Sequence, residues 1–217
     1  RRSASMPLAM VTFFTLTLFL FSAVVFAMWA GWLFTHRPVL EPVKRQPKVT
    51  IIVPFRNEGK RMLDIYADLA NQRVWKPEWE VVFVNDHSTD DGPSLIEDRI
   101  KEKDSFRLMH VPDGKRGKKE AIDYAIHQTY SKYILATDAD CRLPDIWVDQ
   151  MVTHIEDSNV ALVAGPVNWE GRGFFQEFVR QEMIALQIIT AGSFFFDMPL
   201  MANGANLIYH REDYLKL

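Results

Sequence analysis

Two carboxylates one residue apart, Asp138 and Asp140 in Thr137-Asp138-Ala139-Asp140, are the sequence's clearest offer of chemistry. In an extended stretch residues i and i+2 point the same way, so both can face one point. Two hard oxygen donors suit Mg2+ or Mn2+, which keep waters and accept phosphate oxygens. Such a pair serves the departure of a diphosphate, whose growing charge the metal neutralises. Taken alone, the triplet also reads as a solvated turn. Its place directly behind the apolar run 132–137 raises it above that reading. Two more polar clusters stand in the same relation to apolar runs: Arg56-Asn57-Glu58 behind residues 49–53, and Asp86-His87-Ser88-Thr89-Asp90 behind residues 80–85.

Those runs predict strands buried on both faces, and residues 106–110 and 160–165 add two more. Between them the spacing predicts helices over 58–72 (capped by Asn57), from Gly92 to about Lys103, over 118–130 and over 144–157. Five strands alternating with helices imply a mainly parallel α/β sheet with right-handed crossovers. Ligands of such sheets bind outside the carboxyl ends of the strands, where the three clusters fall. Carboxylates gathered there repel one another unless a cation or donor-rich ligand lies between them.

The chain has 217 residues, with 25 Lys and Arg against 28 Asp and Glu. That balance gives no support to a nucleic-acid binder, which usually shows a basic excess. With 48% hydrophobic and 24% charged residues it is not a disordered chain. The single Cys141 excludes an intrachain disulfide framework and a multi-cysteine zinc site, and no two histidines stand at i, i+4.

Residues 7–34 carry no charge. As a helix they would be roughly 42 Å long, more than the roughly 30 Å of a bilayer core. A transmembrane helix is therefore expected within residues 1–36, with Trp29 and Trp32 at an interface. A signal peptide's apolar region is shorter, and a core helix would show a polar face. Arg37, Lys44, Arg45 and Lys48 follow the span, so the C-terminal side is expected in the cytoplasm at the cell membrane. Residues 37–47, with three prolines, read as an extended linker before a domain over 48–217. The chain opens with Arg rather than Met, so it is expected to be part of a longer product.

VTIIVPFRNEG (49–59), EVVFVNDHSTDDG (80–92), GKRGKKEAIDYAI (114–126), ATDADCRLP (136–144) and MANGANLIYHRE (201–212) occur in that order. Together they resemble a family 2 glycosyltransferase with the GT-A fold, a Rossmann-like sheet flanked by helices. The resemblance implies an inverting, divalent-metal-dependent enzyme that moves a sugar from a nucleotide diphosphate to a glycan or lipid acceptor. By the same resemblance Pro54 and the residues up to Glu58, including Asn57, line the base pocket. Asp86 binds the base, and Ser88 belongs to the same loop. Lys118 approaches the diphosphate, and Asp138 the ribose and donor sugar. Asp140, with Asp138, holds Mg2+ or Mn2+. Asn203, Gly204, Ala205 and Asn206 form a loop near donor sugar and acceptor. Asn85 and His87 depart mildly from the family pattern. The family's catalytic base is expected beyond Leu217, with Asp213 as a poor substitute within the chain, so the domain is expected to be C-terminally incomplete.

Other readings stand beside these. Asn57 and Ser88 also read as caps, Asp90 and Asp91 as helix-start carboxylates, and residues 115–119 as a solvated basic loop. Residues 174–190 and Phe194-Phe195-Phe196 read as core, with a place in a membrane interface as the alternative. A nucleotidyltransferase that makes nucleotide sugars would carry a Gly-rich loop after the first strand; PFRNEGKR has one glycine. A non-catalytic membrane scaffold would not need Asp86, Asp138 and Asp140.

Overall fold

The computed structural model describes residues 8–34, 48–73, 78–101, 103–158 and 160–217. The expected linker, the basic flank Arg37, Lys44 and Arg45, and Arg1 and Arg2 lie outside the described residues. In chain order the elements are α1 (Leu8–Phe34), β1 (Val49–Phe55), α2 (Arg61–Ala70), β2 (Trp79–Asn85), α3 (Gly92–Ile100), β3 (Phe106–His110), α4 (Lys118–His127), β4 (Tyr133–Ala136), α5 (Trp147–Ser158), β5 (Leu162–Ala164), α6 (Phe174–Phe195), β6 (Leu207–His210) and α7 (Arg211–Tyr214). They fall into two compact units, Pro38–Val167 with Asn203–Leu217, and Arg1–Arg37 with Asn168–Ala202.

The larger unit is built on one sheet of strand order β3-β2-β1-β4-β6-β5. The first four strands are mutually parallel, and β6 runs antiparallel to both β4 and β5. All five predicted strands are present. The sixth was not foreseen, because Leu-Ile-Tyr-His is only four residues long and is framed by a loop and a helix start.

Every residue of β1 is buried, which is why the sequence shows no alternation there. The pleat sends Ile51, Val53 and Phe55 to one face, against Met62, Ile65 and Leu69 of α2, Ile96 of α3 and Trp147, Met151 and Ile155 of α5. Ile52 points the other way and joins Val82, Val84, Ala121, Ala125 and Ile126 under α4. Each large side chain so buried contributes about 1.5–3 kcal/mol. Proline is rare inside a central strand because it cannot donate to the ladder. Pro54 escapes that cost: it shares the edge of Ile52, whose carbonyl accepts from Thr137 N, and β4 pairs with β1 only from Val49 to Ile52.

The smaller unit pairs α1 with α6. None of the most apolar part of α1 is buried. Its threonines satisfy themselves: the hydroxyls of Thr12, Thr15 and Thr17 donate to the carbonyls of Leu8, Val11 and Phe13. The two backbones meet at glycines. A Cβ on Gly192 would stand 1.9 Å from the Met28 carbonyl oxygen, and one on Gly31 3.0 Å from the Gly192 carbonyl. The Phe34 and Phe195 rings lie 6.3 Å apart beside that contact. A Phe34→Cys, Phe195→Cys pair in a Cys141→Ser background is expected to cross-link on oxidation. Adding Gly192→Leu should abolish the cross-link, because backbone atoms cannot swing aside as a side chain would. Gel mobility with and without reductant measures it. The core reading of residues 174–190 does not hold: Phe174, Phe175 and Phe178 are 92%, 71% and 61% exposed, and Ile184 and Leu186 are also on the surface.

Candidate active site

The carboxyl ends of β1, β2, β3 and β4 form one edge of the sheet, and their loops are tied to one another. Phe55, Asn85 and His110 stand abreast in register. The Asn85 amide closes this edge: its nitrogen lies 3.0 Å from His110 Nδ1, and its oxygen accepts from Ser88 N at 2.9 Å. The loops behind β1 and β2 are laced together. Asn57 N donates to Ser88 Oγ, Thr89 N to Asn57 Oδ1 at 2.7 Å, and Gly59 N to Asp90 Oδ2 at 2.7 Å. Asn57 therefore does not cap α2, which starts at Arg61. Its left-handed backbone (φ 56°) turns its side chain across to the neighbouring loop instead. Asp90 also accepts from Gly92 N, so its carboxylate is a loop clasp. Glu58 is half-buried beside Arg61.

Asp86 is the buried member, its side chain 7% exposed. Its Oδ2 accepts from Gly117 N at 2.9 Å and its Oδ1 lies 3.0 Å from His87 Nδ1. Burial pushes its pKa up. The His87 and Gly117 hydrogen bonds and the Arg56 charge outweigh that and hold the carboxyl below its ordinary range. His87 reaches this position only through a left-handed backbone (φ 56°).

The bond to Gly117 fixes the start of α4. Gly117 (φ 98°) sets the helix going with no side-chain cap, which leaves the first amides and the positive end of the helix dipole at the carboxyl edge. Lys118, the first residue of α4, is ion-paired with Asp138. Gly204 lies against the same ammonium: a Cβ there would stand 3.7 Å from Lys118 Nζ. Asp86, Lys118, Asp138 and Gly204 are thus brought together around one helix start.

The stretch behind β4 is not extended as expected. Cys141 N donates to the Asp138 carbonyl, closing a turn in which Ala139 is buried and Asp140 exposed. Ala139 fills the core, so the chain must fold back and carry Asp140 to the surface, where no ion pair engages it among the described residues. Cys141 is half-buried, and burial pushes its thiol up. The turn is anchored from behind: Arg142 makes two hydrogen bonds, 2.7 and 2.9 Å, to Asp68 of α2, which also accepts from Leu143 N.

Burial pushes the Asp68 pKa up, but the Arg142 and Leu143 hydrogen bonds outweigh it and leave the group lowered. A lowered native pKa gives stability that is full above the unfolded value, about 4, and is lost as pH falls through the native one. Asp68→Asn is expected to destabilise the chain by about 1.5–3 kcal/mol at neutral pH, the range for hydrogen bonds to charged groups. The gap to the parent should shrink below about pH 4. Thermal unfolding of the detergent-solubilised chain at both pH values measures it.

The 203–206 loop divides into two roles. Asn206 is engaged at both ends of its amide: Oδ1 accepts from Trp147 Nε1, Nδ2 donates to the Pro166 carbonyl, and its side chain fills the space a Cβ on Gly165 would need. It holds β5, β6 and α5 together, with its oxygen and one of its two amide N–H groups taken up by the fold. Asn203 is exposed and accepts from Ala205 N. Asp213 is a correction. Because β6 runs antiparallel, residues 203–206 enter at the site edge, and α7 leaves at the opposite one. There Arg211 N donates to the Lys132 carbonyl, at the start of β4, and Asp213 pairs with Lys216. A four-residue strand separates these edges by about 13 Å, so Asp213 is not part of the cluster.

The sequence profile of glycosyl transferase family 2 matches residues 50–213. The chain belongs to that family. It is 22% identical over 126 residues to the poly(ribitol-phosphate) beta-N-acetylglucosaminyltransferase TarP of Staphylococcus aureus, covering 58% of this chain and 38% of that protein. It is 26% identical over 110 residues to a beta-monoglucosyldiacylglycerol synthase of Nostoc, covering 50% and 23%. The chain thus spans well under half the length of these curated relatives. In structure it is similar to the mannosyltransferase PcManGT from Pyrobaculum calidifontis, solved in complex with GDP-Man and Mn2+, with a TM-score of 0.71 over 94% of this chain and 56% of that one. At 23% identity this likeness is one of fold, and the fold is GT-A. Of the site residues expected from the sequence, Asp86, Lys118, Asp138 and Gly204 are those that the structure brings together.

Proposed function

We propose that this family 2 chain binds a nucleotide diphosphate sugar at the carboxyl edge of its sheet and serves inverting transfer of the sugar to a glycan or lipid acceptor. The observation that carries this is the linkage Asp86–Gly117–Lys118–Asp138, which joins a buried carboxylate to a cationic helix start. Asp86, buried and held ionised, accepts from a base N–H, with Pro54, Asn57, Glu58 and Ser88 around the base. Lys118 and the first amides of α4 suit the diphosphate. Asp138 faces ribose and donor sugar, and Asn203 with Gly204 the sugar and acceptor side.

We assign a divalent ion to Asp138 and Asp140, the two carboxylates of the turn behind β4. Asp138 already draws the Lys118 ammonium, and Asp140 is exposed and engaged by no ion pair among the described residues. No third carboxylate, histidine or cysteine joins them among the described residues. Asp138 and Asp140 would hold Mg2+ or Mn2+, leaving room for waters and phosphate oxygens. When bound, such an ion neutralises charge on the departing diphosphate. Transfer forms a bond from the acceptor oxygen to the anomeric carbon, breaks the bond to the diphosphate and inverts that carbon. The acceptor proton goes to a base that is not Asp213. By reading α1 as a span, the chain is anchored in the cell membrane with the larger unit in the cytoplasm.

Calorimetry with UDP and GDP, in Mn2+ and in chelator, tests this. Diphosphate binding that requires metal is expected. Equal affinity in chelator would remove the metal from the proposal, and no binding of either diphosphate would overturn it.

A further inference from the structure

We propose that α6 is seated in the surface of a lipid bilayer beside the end of α1, with residues 183–196 among the outer acyl chains. This rests on the reading of α1 as a membrane span. Residues 183–196 carry no charge, whereas Glu177, Arg180 and Glu182 mark the first turns of α6. Ile184, Leu186, Phe194, Phe195 and Phe196 are each more than a third exposed, and Met198, Leu200 and Met201 continue the apolar surface. Exposed apolar side chains at this density, all round a helix segment, need a cover.

Two observations say that the cover is lipid. First, the apolar stretch is continuous with α1, which it meets at Gly192 against Met28 and at Phe195 against Phe34. Second, hydrogen bonds within their own segment engage the polar side chains of residues 183–196. Gln187 donates to the Met183 carbonyl, Thr190 to Leu186 and Ser193 to Thr190, while the Ser193 hydroxyl also accepts from Leu200 N. The threonines of α1 follow the same rule. In acyl chains water is not there to satisfy such groups.

The magnitude fixes the depth. Residues 183–196 are roughly 21 Å long at about 1.5 Å per residue, short of the roughly 30 Å needed to cross. The meeting point lies in the last two turns of α1, next to Trp29 and Trp32, whose residue type favours the headgroup level. A helix held there by an apolar face lies about 5–10 Å into the boundary rather than through it.

The test places an environment-sensitive fluorophore on single cysteines in the Cys141→Ser full chain. The chain is reconstituted in phosphatidylcholine–phosphatidylglycerol vesicles whose acyl chains carry bromine either near the headgroup or near the chain end. Probes at Ile184→Cys and Leu186→Cys should be quenched most by bromine near the headgroup. A probe at Phe19→Cys in α1 should be quenched most by bromine near the chain end, and one at Tyr130→Cys by neither. Quenching at Phe19 with none at 184 and 186 would overturn the seat of α6 while keeping the span. Quenching at 184 and 186 by the deep bromine alone would overturn the interfacial depth. Loss of quenching at all positions would overturn the span and this inference together. Two α6 positions guard against one substitution that disturbs the helix. Protection of both from quenching together with a dimeric mass would assign the face to a second copy and also overturn the proposal.

Discussion

Asp140→Asn is expected to remove metal-dependent diphosphate binding while leaving the thermal unfolding of the chain unchanged. The reasoning starts from what Asp140 does without ligand. It is exposed on a turn and engaged by no cation among the described residues, so the fold draws nothing from its charge. Exchanging one carboxylate oxygen for an amide removes a charged hard donor from a site that has only two. Changes one shell further out typically cost 10- to 100-fold in metal affinity, so losing a direct ligand should cost about 100-fold or more. Asp138→Asn is different in kind, because it also frees Lys118. Its ammonium would then be available to phosphate, and some metal-independent binding should persist. Calorimetric titrations of UDP and GDP with Mn2+ separate the two variants. Unchanged affinity in Asp140→Asn would move the metal elsewhere.

Asp86→Ala should produce the second large effect, and on two observables. A buried carboxylate that accepts from a base N–H contributes about 1.5–3 kcal/mol, the range for charged hydrogen bonds, or roughly 10- to 150-fold in affinity. The same side chain holds Gly117 N and so the start of α4. Removing it strands that half-buried N–H and should also destabilise the fold by about 1–3 kcal/mol. Asp86→Asn retains an acceptor for Gly117 and should recover most of the stability, but it loses the charge the base and Arg56 respond to. Equal nucleotide affinity in Asp86→Asn and the parent would make Asp86 a scaffold residue only; thermal unfolding beside the titrations distinguishes the cases.

The larger unit was legible because its central strands β1, β2 and β4 are buried over most of their length. Continuous apolar runs such as VTIIV can pack only as central strands, and each is closed by polar residues at the edge where ligands bind. That Asp86 and Asp138 stand at one edge of the sheet was legible for the same reason, since strand ends fix their edge. What escaped was set by contacts distant in sequence. Asn57 looks like a helix cap in its own neighbourhood, but Ser88 and Thr89 claim it across the loop. Asn206 reads as a ligand-loop residue, yet Trp147 and Pro166 take both ends of its amide. The direction of β6 is invisible to periodicity, and that direction alone removes Asp213 from the site. For α6 the apolar spacing suggested an inward face, but the glycine contact with α1 leaves most of that face uncovered.

The insertion of β6 between β4 and β5 also orders how the sheet is completed as the polypeptide emerges during translation. β1 to β4 form a continuous parallel ladder among themselves and can zip up early, with only the outer side of β4 left for β6. Among the described residues β5 has no ladder partner except β6, and all of α6 is synthesised between them. Until the ribosome has released residues 207–210, β5 is a lone strand and the flank of β4 stands open, so this nascent stage is where strand-edge aggregation threatens and where a chaperone has something to hold.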